Sequence, residues 1–116
     1  MINIGVIISS LNLRGGSPRE QMEEAMWLTI KHALNNNEKI LMFKHIPNTR
    51  SFNVITNKAR YTGYFMSDSI RGYRWNKTLV YGEITKDQIE QIHCCVRPTD
   101  INNESWNVEE QVFKLH

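Results

Sequence analysis

The chain opens on an apolar run, Ile2-Asn3-Ile4-Gly5-Val6-Ile7-Ile8, which reads as a strand. Gly15-Gly16 breaks it, and Ser17-Pro18-Arg19-Glu20 starts a helix: Ser17 can cap, Pro18 suits the first helical position and Glu20 completes a capping box. Met22, Met26, Ile30, Ala33 and Leu34 recur at helical spacing as one apolar stripe, and Asn35-Asn36-Asn37 ends it because Asn tolerates left-handed backbone. Lys39 to Ile46 is mostly apolar and reads as a central strand, turned by Pro47-Asn48-Thr49. Phe52 to Thr56 and Arg60 to Met66 predict two more strands with a hairpin at Thr56-Asn57-Lys58, and Ser67 to Gly72 a polar loop. Tyr73-Arg74-Trp75 and Thr78 to Ile84 read as extended. Thr85-Lys86-Asp87-Gln88 is a second capping box with Ile84 and Ile89 at its staple positions; it opens a short helix over 86–92 that turns Ile89 and Ile92 inward. His93 to Arg97 reads as a strand stopped by Pro98, and the pattern over 105–115 fits strand or helix. The expected class is α+β: an antiparallel sheet packed by one long N-terminal helix and one short helix, in a single domain spanning 1–116.

Size narrows the function. At 116 residues the chain is too small for a Rossmann dehydrogenase, a kinase or another large cofactor enzyme. With 41% hydrophobic and 22% charged residues it is too apolar to be disordered. The net charge of +2 conceals an asymmetry. Between residues 39 and 77 lie Lys39, Lys44, Arg50, Lys58, Arg60, Arg71, Arg74 and Lys77 against Asp68 alone, a net +7, while the remainder carries six basic and eleven acidic residues, a net −5. A positive middle on a negative frame suggests a local anion site rather than a wholly basic coat. Met1 to Ile8 has no basic stretch before its apolar run and is too short to span a membrane, so a reducing cytoplasm is the expected setting. Cys94 and Cys95 are adjacent, a spacing that disfavours a disulfide between them.

Most catalytic constellations are missing. His93-Cys94-Cys95 lacks the spacing that wraps two ligands around one zinc ion, so no metal and no cofactor is expected. Nothing places Cys94 or Cys95 beside His32 or His45 as a nucleophile and base, and there is no nucleophile-elbow signature. Arg14-Gly15-Gly16-Ser17 precedes a helix start but has no Walker lysine. The informative feature is an aromatic–basic interleave of Arg60, Tyr61, Tyr64, Phe65, Arg71, Tyr73, Arg74 and Trp75. Aromatic faces stack on bases and guanidinium forks bind phosphates, so the set suits a nucleotide, a cyclic nucleotide or single-stranded nucleic acid. A half-buried structural sheet would have the same composition. The acidic frame favours a small phosphorylated ligand over a long polyanion.

The tail, Arg97-Pro98-Thr99-Asp100-Ile101-Asn102-Asn103-Glu104-Ser105-Trp106-Asn107-Val108, resembles the closing signature of the second Thoeris anti-defence family of phage proteins. That family ends in a polar-Asp-aliphatic stretch leading to an acidic residue, Trp, any residue and Val, and the Asp-to-Trp spacing matches. Glu24-Ala25-Met26 and Lys39-Ile40-Leu41 are similar to its opening helix and first strand. Ser105 stands where the family has Asp, Asn102-Asn103 replace an aliphatic-small pair, and His45 falls near the position of a Trp. The resemblance implies a non-enzymatic sponge that sequesters a cyclic signalling nucleotide at subunit contacts of a small homo-oligomer and so silences a host defence effector. Phe43, His45, Tyr73 and Trp75 would then stack, Lys44, Arg74 and Arg97 would pair phosphates, and Thr99 and Asp100 would bind ribose. Two rival readings are an inhibitor that docks on a host defence protein and a small nucleic-acid-binding protein.

Overall fold

In the computed structural model the described residues are 2–9, 17–46, 51–66, 70, 72–82, 84–95 and 112–114. The elements are β1 (Ile2–Ile8), α1 (Pro18–Asn35), β2 (Ile40–Ile46), β3 (Ser51–Thr56), β4 (Ala59–Phe65), β5 (Lys77–Tyr81), α2 (Lys86–Cys95) and β6 (Val112–Lys114). The six strands form one sheet in the order β2-β3-β4-β1-β5-β6.

The class is α+β, with the 18-residue α1 as the long helix and α2 as the short one. The sheet is mixed, and this corrects the antiparallel arrangement. β2, β3 and β4 are antiparallel neighbours, but β1 runs parallel to both β4 and β5, and β5 runs parallel to β6. Turn chemistry reports only the hairpins that join neighbours. It carries no information about β1, which is inserted between β4 and β5 far along the chain.

Local signals place the helix ends. The Glu20 amide donates to Ser17 Oγ (3.2 Å), and Pro18 occupies the first turn. At the other end Asn37 takes a left-handed φ of 61°. The second capping box is reciprocal: the Gln88 amide donates to Thr85 Oγ1 (3.2 Å) and the Thr85 amide to Gln88 Oε1 (2.9 Å). Ile84 and Ile89 pack against one cluster on either side of it. The helix runs on to Cys95, so the strand expected from His93 is helical as far as Cys95. One turn more lets Cys95 Sγ reach the Ile70 carbonyl (3.0 Å) from a buried position. Neither Cys94 nor Cys95 is in a disulfide; the first is exposed and the second buried.

The helices cover opposite faces. Ile4, Val6 and Ile8 of β1, with Leu79 and Tyr81 of β5, cluster with Met22, Ala25, Met26 and Ala33 of α1. Ile7 and Val80, one step out of phase, cluster with Ile92 and Cys95 of α2. Successive strand residues point to opposite faces, so α1 lies on one side and α2 on the other. Leu34 is 55% exposed and drops out of the predicted stripe, whose place Ala25 and Thr29 take. Two buried tyrosines turn their hydroxyls toward carboxylates, one in the second turn of α1 and one just past its C-terminus. Tyr81 donates to Glu24 Oε2 (2.6 Å) and Tyr61 to Glu38 Oε2 (2.7 Å), while Glu38 Oε1 accepts from Thr56 Oγ1 (2.6 Å).

On the α2 side Gly5 has no room for a side chain. A Cβ there would come within 2.5 Å of the Trp75 indole. Trp75 lies over this glycine, 3% exposed, with its indole N–H donated to Thr78 Oγ1 (2.6 Å). Gly5→Ala should therefore lower stability by about 1–3 kcal/mol through overpacking. Gly72→Ala, with nothing within 4 Å, should stay within about 0.5 kcal/mol of the parent. Urea unfolding followed by tryptophan fluorescence checks both.

Candidate functional site

Strand alternation sorts the predicted site residues. Phe43 pairs with Val54 and His45 with Phe52, both members of the α1-side core, so Phe43 and His45 belong to the α1 face. Phe43 meets Trp27 of α1 there, ring centroids 5.4 Å apart. His45 is half-buried, with Nε2 shielded from solvent and without a hydrogen bond. Lys44 pairs with Asn53 and points to the other face, exposed. Tyr73 and Arg74 are exposed beyond β4 on the α2 side. Arg74 donates from Nη1 to the Tyr73 carbonyl (2.7 Å). Arg97, Thr99 and Asp100 lie outside the described residues, as do Arg71 and the 97–108 segment that carries the resemblance.

The expected convergence of the described members into one cavity is thus not met. Phe43 and His45 are separated by the thickness of the sheet from Lys44, Tyr73 and Trp75. Trp75 is core rather than an open stacking platform, because Gly5 leaves a slot that only a flat ring fills. Its residue makes a single bridge instead of a strand: the Trp75 amide donates to the Cys95 carbonyl (2.9 Å). Tyr61 belongs to the α1-side core as well.

What the structure does bring together is a set on the α2 side of β2, β3 and β4. Cross-strand pairing lines up Lys44, Asn53 and Thr62 in one row and Met42, Ile55 and Arg60 in the next. Thr62 Oγ1 donates to Asn53 Oδ1 (3.2 Å). Along β4 the residues facing this side are Arg60, Thr62 and Tyr64, spaced about 7 Å apart. Tyr64 stacks on Tyr73 (4.5 Å, 26°) and on Trp75 (5.5 Å, 20°). Three rings therefore connect the slot over Gly5 with Tyr73, which is 45% exposed. Lys44 and Arg60 are both exposed, and Lys44 lies about 10 Å from Thr62, two strand spacings away. The result is a polar Asn53–Thr62 centre with two cations on two sides and an aromatic stack on a third.

The electrostatics of the rest favour this face for anions. A groove of about 490 Å³ along α1 is lined by Glu20, Glu23, Glu24, Trp27, Leu28 and Lys31. A second, of about 470 Å³ along α2, is lined by Asp87, Glu90, Gln91 and Cys94. Both carry more carboxylates than cations and repel phosphate. Burial, with the neighbouring Tyr73 phenol, holds the Tyr64 hydroxyl above the usual phenol range, so it stays protonated as a hydrogen-bond donor. Among the described residues no three His, Cys, Asp or Glu side chains come close enough to share a metal ion. No described helix is long and apolar enough to cross a membrane.

Asn53, Thr62, Met42 and Ile55 were absent from the predicted set. For Thr62 the signal is the two-residue period of Arg60-Tyr61-Thr62-Gly63-Tyr64, which separates Arg60, Thr62 and Tyr64 from the buried Tyr61 and Gly63, and for Asn53 and Ile55 the alternation of Phe52-Asn53-Val54-Ile55-Thr56. The chain matches no protein-family model, no curated protein and no solved structure.

Opposite the candidate face, burial and the nearby Lys77 lower the His32 pKa, only partly offset by Glu38. The unfolded chain therefore takes up the proton first as pH falls, and stability is lost from about pH 6.5 downward. The urea midpoint should drop between pH 7.5 and 5.5, and the drop should shrink in His32→Asn.

Proposed function

We propose that the protein binds a phosphorylated, base-bearing ligand on the open α2-side face of β2–β4 and leaves it chemically unchanged. The observation that supports this reading is the grouping of Lys44, Arg60 and the Tyr73–Tyr64 stack around Asn53 and Thr62. A base stacks on the exposed ring. Asn53 and Thr62 offer an amide and a hydroxyl to a base edge or a sugar. The two cations take phosphate oxygens roughly one nucleotide length away. The distance from Tyr64 to Arg60, about 13 Å along the strand, suits a ligand with two phosphates or two nucleosides better than a mononucleotide.

In biological terms the reading is sequestration of a cyclic or dinucleotide-like signal by a phage-type counter-defence protein, in the host cytoplasm and without catalysis. The resemblance of residues 97–108 adds that context. A second reading, a small protein binding single-stranded nucleic acid, has one observation in its favour: Met42, Lys44 and Arg60 on this face are all exposed, and an exposed row admits a continuous strand.

Binding of cyclic dinucleotides, cyclic ADP-ribose-type nucleotides and a single-stranded oligonucleotide, followed by fluorescence and by analysis of ligand released on heating, separates these readings. Intact small nucleotide recovered after denaturation supports sequestration. Oligonucleotide binding that weakens steeply with salt supports the second reading. Absence of binding to every probe at low salt rejects both. Tyr73→Ala should weaken binding by roughly tenfold or more, the ~1–3 kcal/mol of one stacked base.

A further inference from the structure

β2 has the composition of an interior strand but lies at a border of the sheet. It spans Ile40–Ile46, seven residues without proline, and among the described residues only β3 pairs with it. Leu41 is 57% exposed, Met42 44% and Phe43 49%. The single charge on the strand is Lys44. Natural border strands are usually blunted by charge, proline or a bulge twisting them away. Here the only irregularity is the register shift between Ile40 and Met42.

The helix beside this border is complementary to itself. Trp27, 50% exposed, touches Phe43 from α1 and so marks the side of the helix that faces the β2 border. Glu20, Glu23, Lys31 and Leu34 lie at −7, −4, +4 and +7 from Trp27, on the same stripe, and all are exposed. The stripe is acidic before Trp27 and basic or apolar after it.

We propose that two copies of this chain pair through β2 about a two-fold axis perpendicular to the sheet near Phe43. Antiparallel pairing centred on Phe43 sets Met42 opposite the partner's Lys44, Leu41 opposite the partner's His45, and the two Phe43 rings together. The same axis reverses α1 and sets Glu23 opposite the partner's Lys31, twice. The α1 helices lie over the strands from β2 inward to β1, so their axes fall at least about 14 Å apart, three strand spacings. That gap is too wide for backbone packing, and two Trp27 and two Phe43 side chains suit it. Trp27, Leu34, Leu41, Met42 and Phe43 expose on the order of 500 Å² per chain, at about half of each side chain. The strand backbone, Glu23 and Lys31 add to this, toward the ~800 Å² per partner typical of a stable interface. The proposal stands independently of the ligand reading, but it would extend the candidate face: both Lys44 side chains would lie beside the axis on the α2 side of one twelve-stranded sheet.

Sedimentation velocity from micromolar to millimolar concentration tests the idea, with circular dichroism to verify folding. The parent chain should be dimeric. Phe43→Lys should raise the dimer dissociation constant by about tenfold or more, since a border lysine is a natural block to pairing. Glu23→Lys and Lys31→Glu should each weaken the dimer roughly fivefold, because the symmetry counts each pair twice. The double swap should restore it, which a merely structural role of either residue would not produce. A monomer at all concentrations overturns the proposal. So does a dimer indifferent to Phe43→Lys and to the single swaps, or a double swap that fails to recover.

Discussion

The fold depends on β1 being buried on both faces. Its even-numbered positions Ile4, Val6 and Ile8 meet α1, while Gly5 and Ile7 meet the α2-side layer. A strand covered on both sides must be apolar throughout and needs parallel neighbours or hairpins to complete its ladder. Here β4 and β5 flank it in parallel. The missing side chain at Gly5 lets Trp75 lie flat against β1, and Trp75 in turn supports Tyr64 and Tyr73. The candidate face is therefore anchored in the middle of the core and not merely decorated on the outside of the sheet.

Charge is divided by layer. The helices carry the carboxylates of the outer grooves, and the strands β2 to β4 carry the exposed Lys44 and Arg60 on the α2 side of the sheet. The positive middle of the sequence is thus a spatial property as well as a linear one. Glu24 and Glu38 also serve the core: each accepts a hydrogen bond from a buried tyrosine, which ties the second turn of α1 and the segment after its C-terminus to the strands. A phosphorylated ligand has an electrostatic reason to choose the sheet over either helix.

Much of this was legible in the residues themselves. The caps at Ser17 and Thr85, the staple of Ile84 and Ile89 and the left-handed Asn37 act over a few positions, and local chemistry is enough to read them. Non-local pairing was not legible. An apolar β2 implied an interior position, and nothing local says that a chain has run out of strands to pair with it. Antiparallel order was inferred from hairpins, whereas the placement of β1 follows from long-range burial. Alternation divides the expected site: Phe43, Lys44 and His45 are consecutive in sequence and therefore split between two faces. The burial of Trp75 is not legible locally, because its slot depends on a glycine seventy residues away.

The two borders of the sheet are unequal. Among the described residues one is the seven-residue β2 and the other is β6, Val112–Lys114, hydrogen-bonded to the middle of β5. A three-residue margin gives an incoming strand too few rungs to hold. Growth by strand addition is therefore directional, and once the long margin is used the described residues offer no second one of equal length, which favours a finite particle over a fibre.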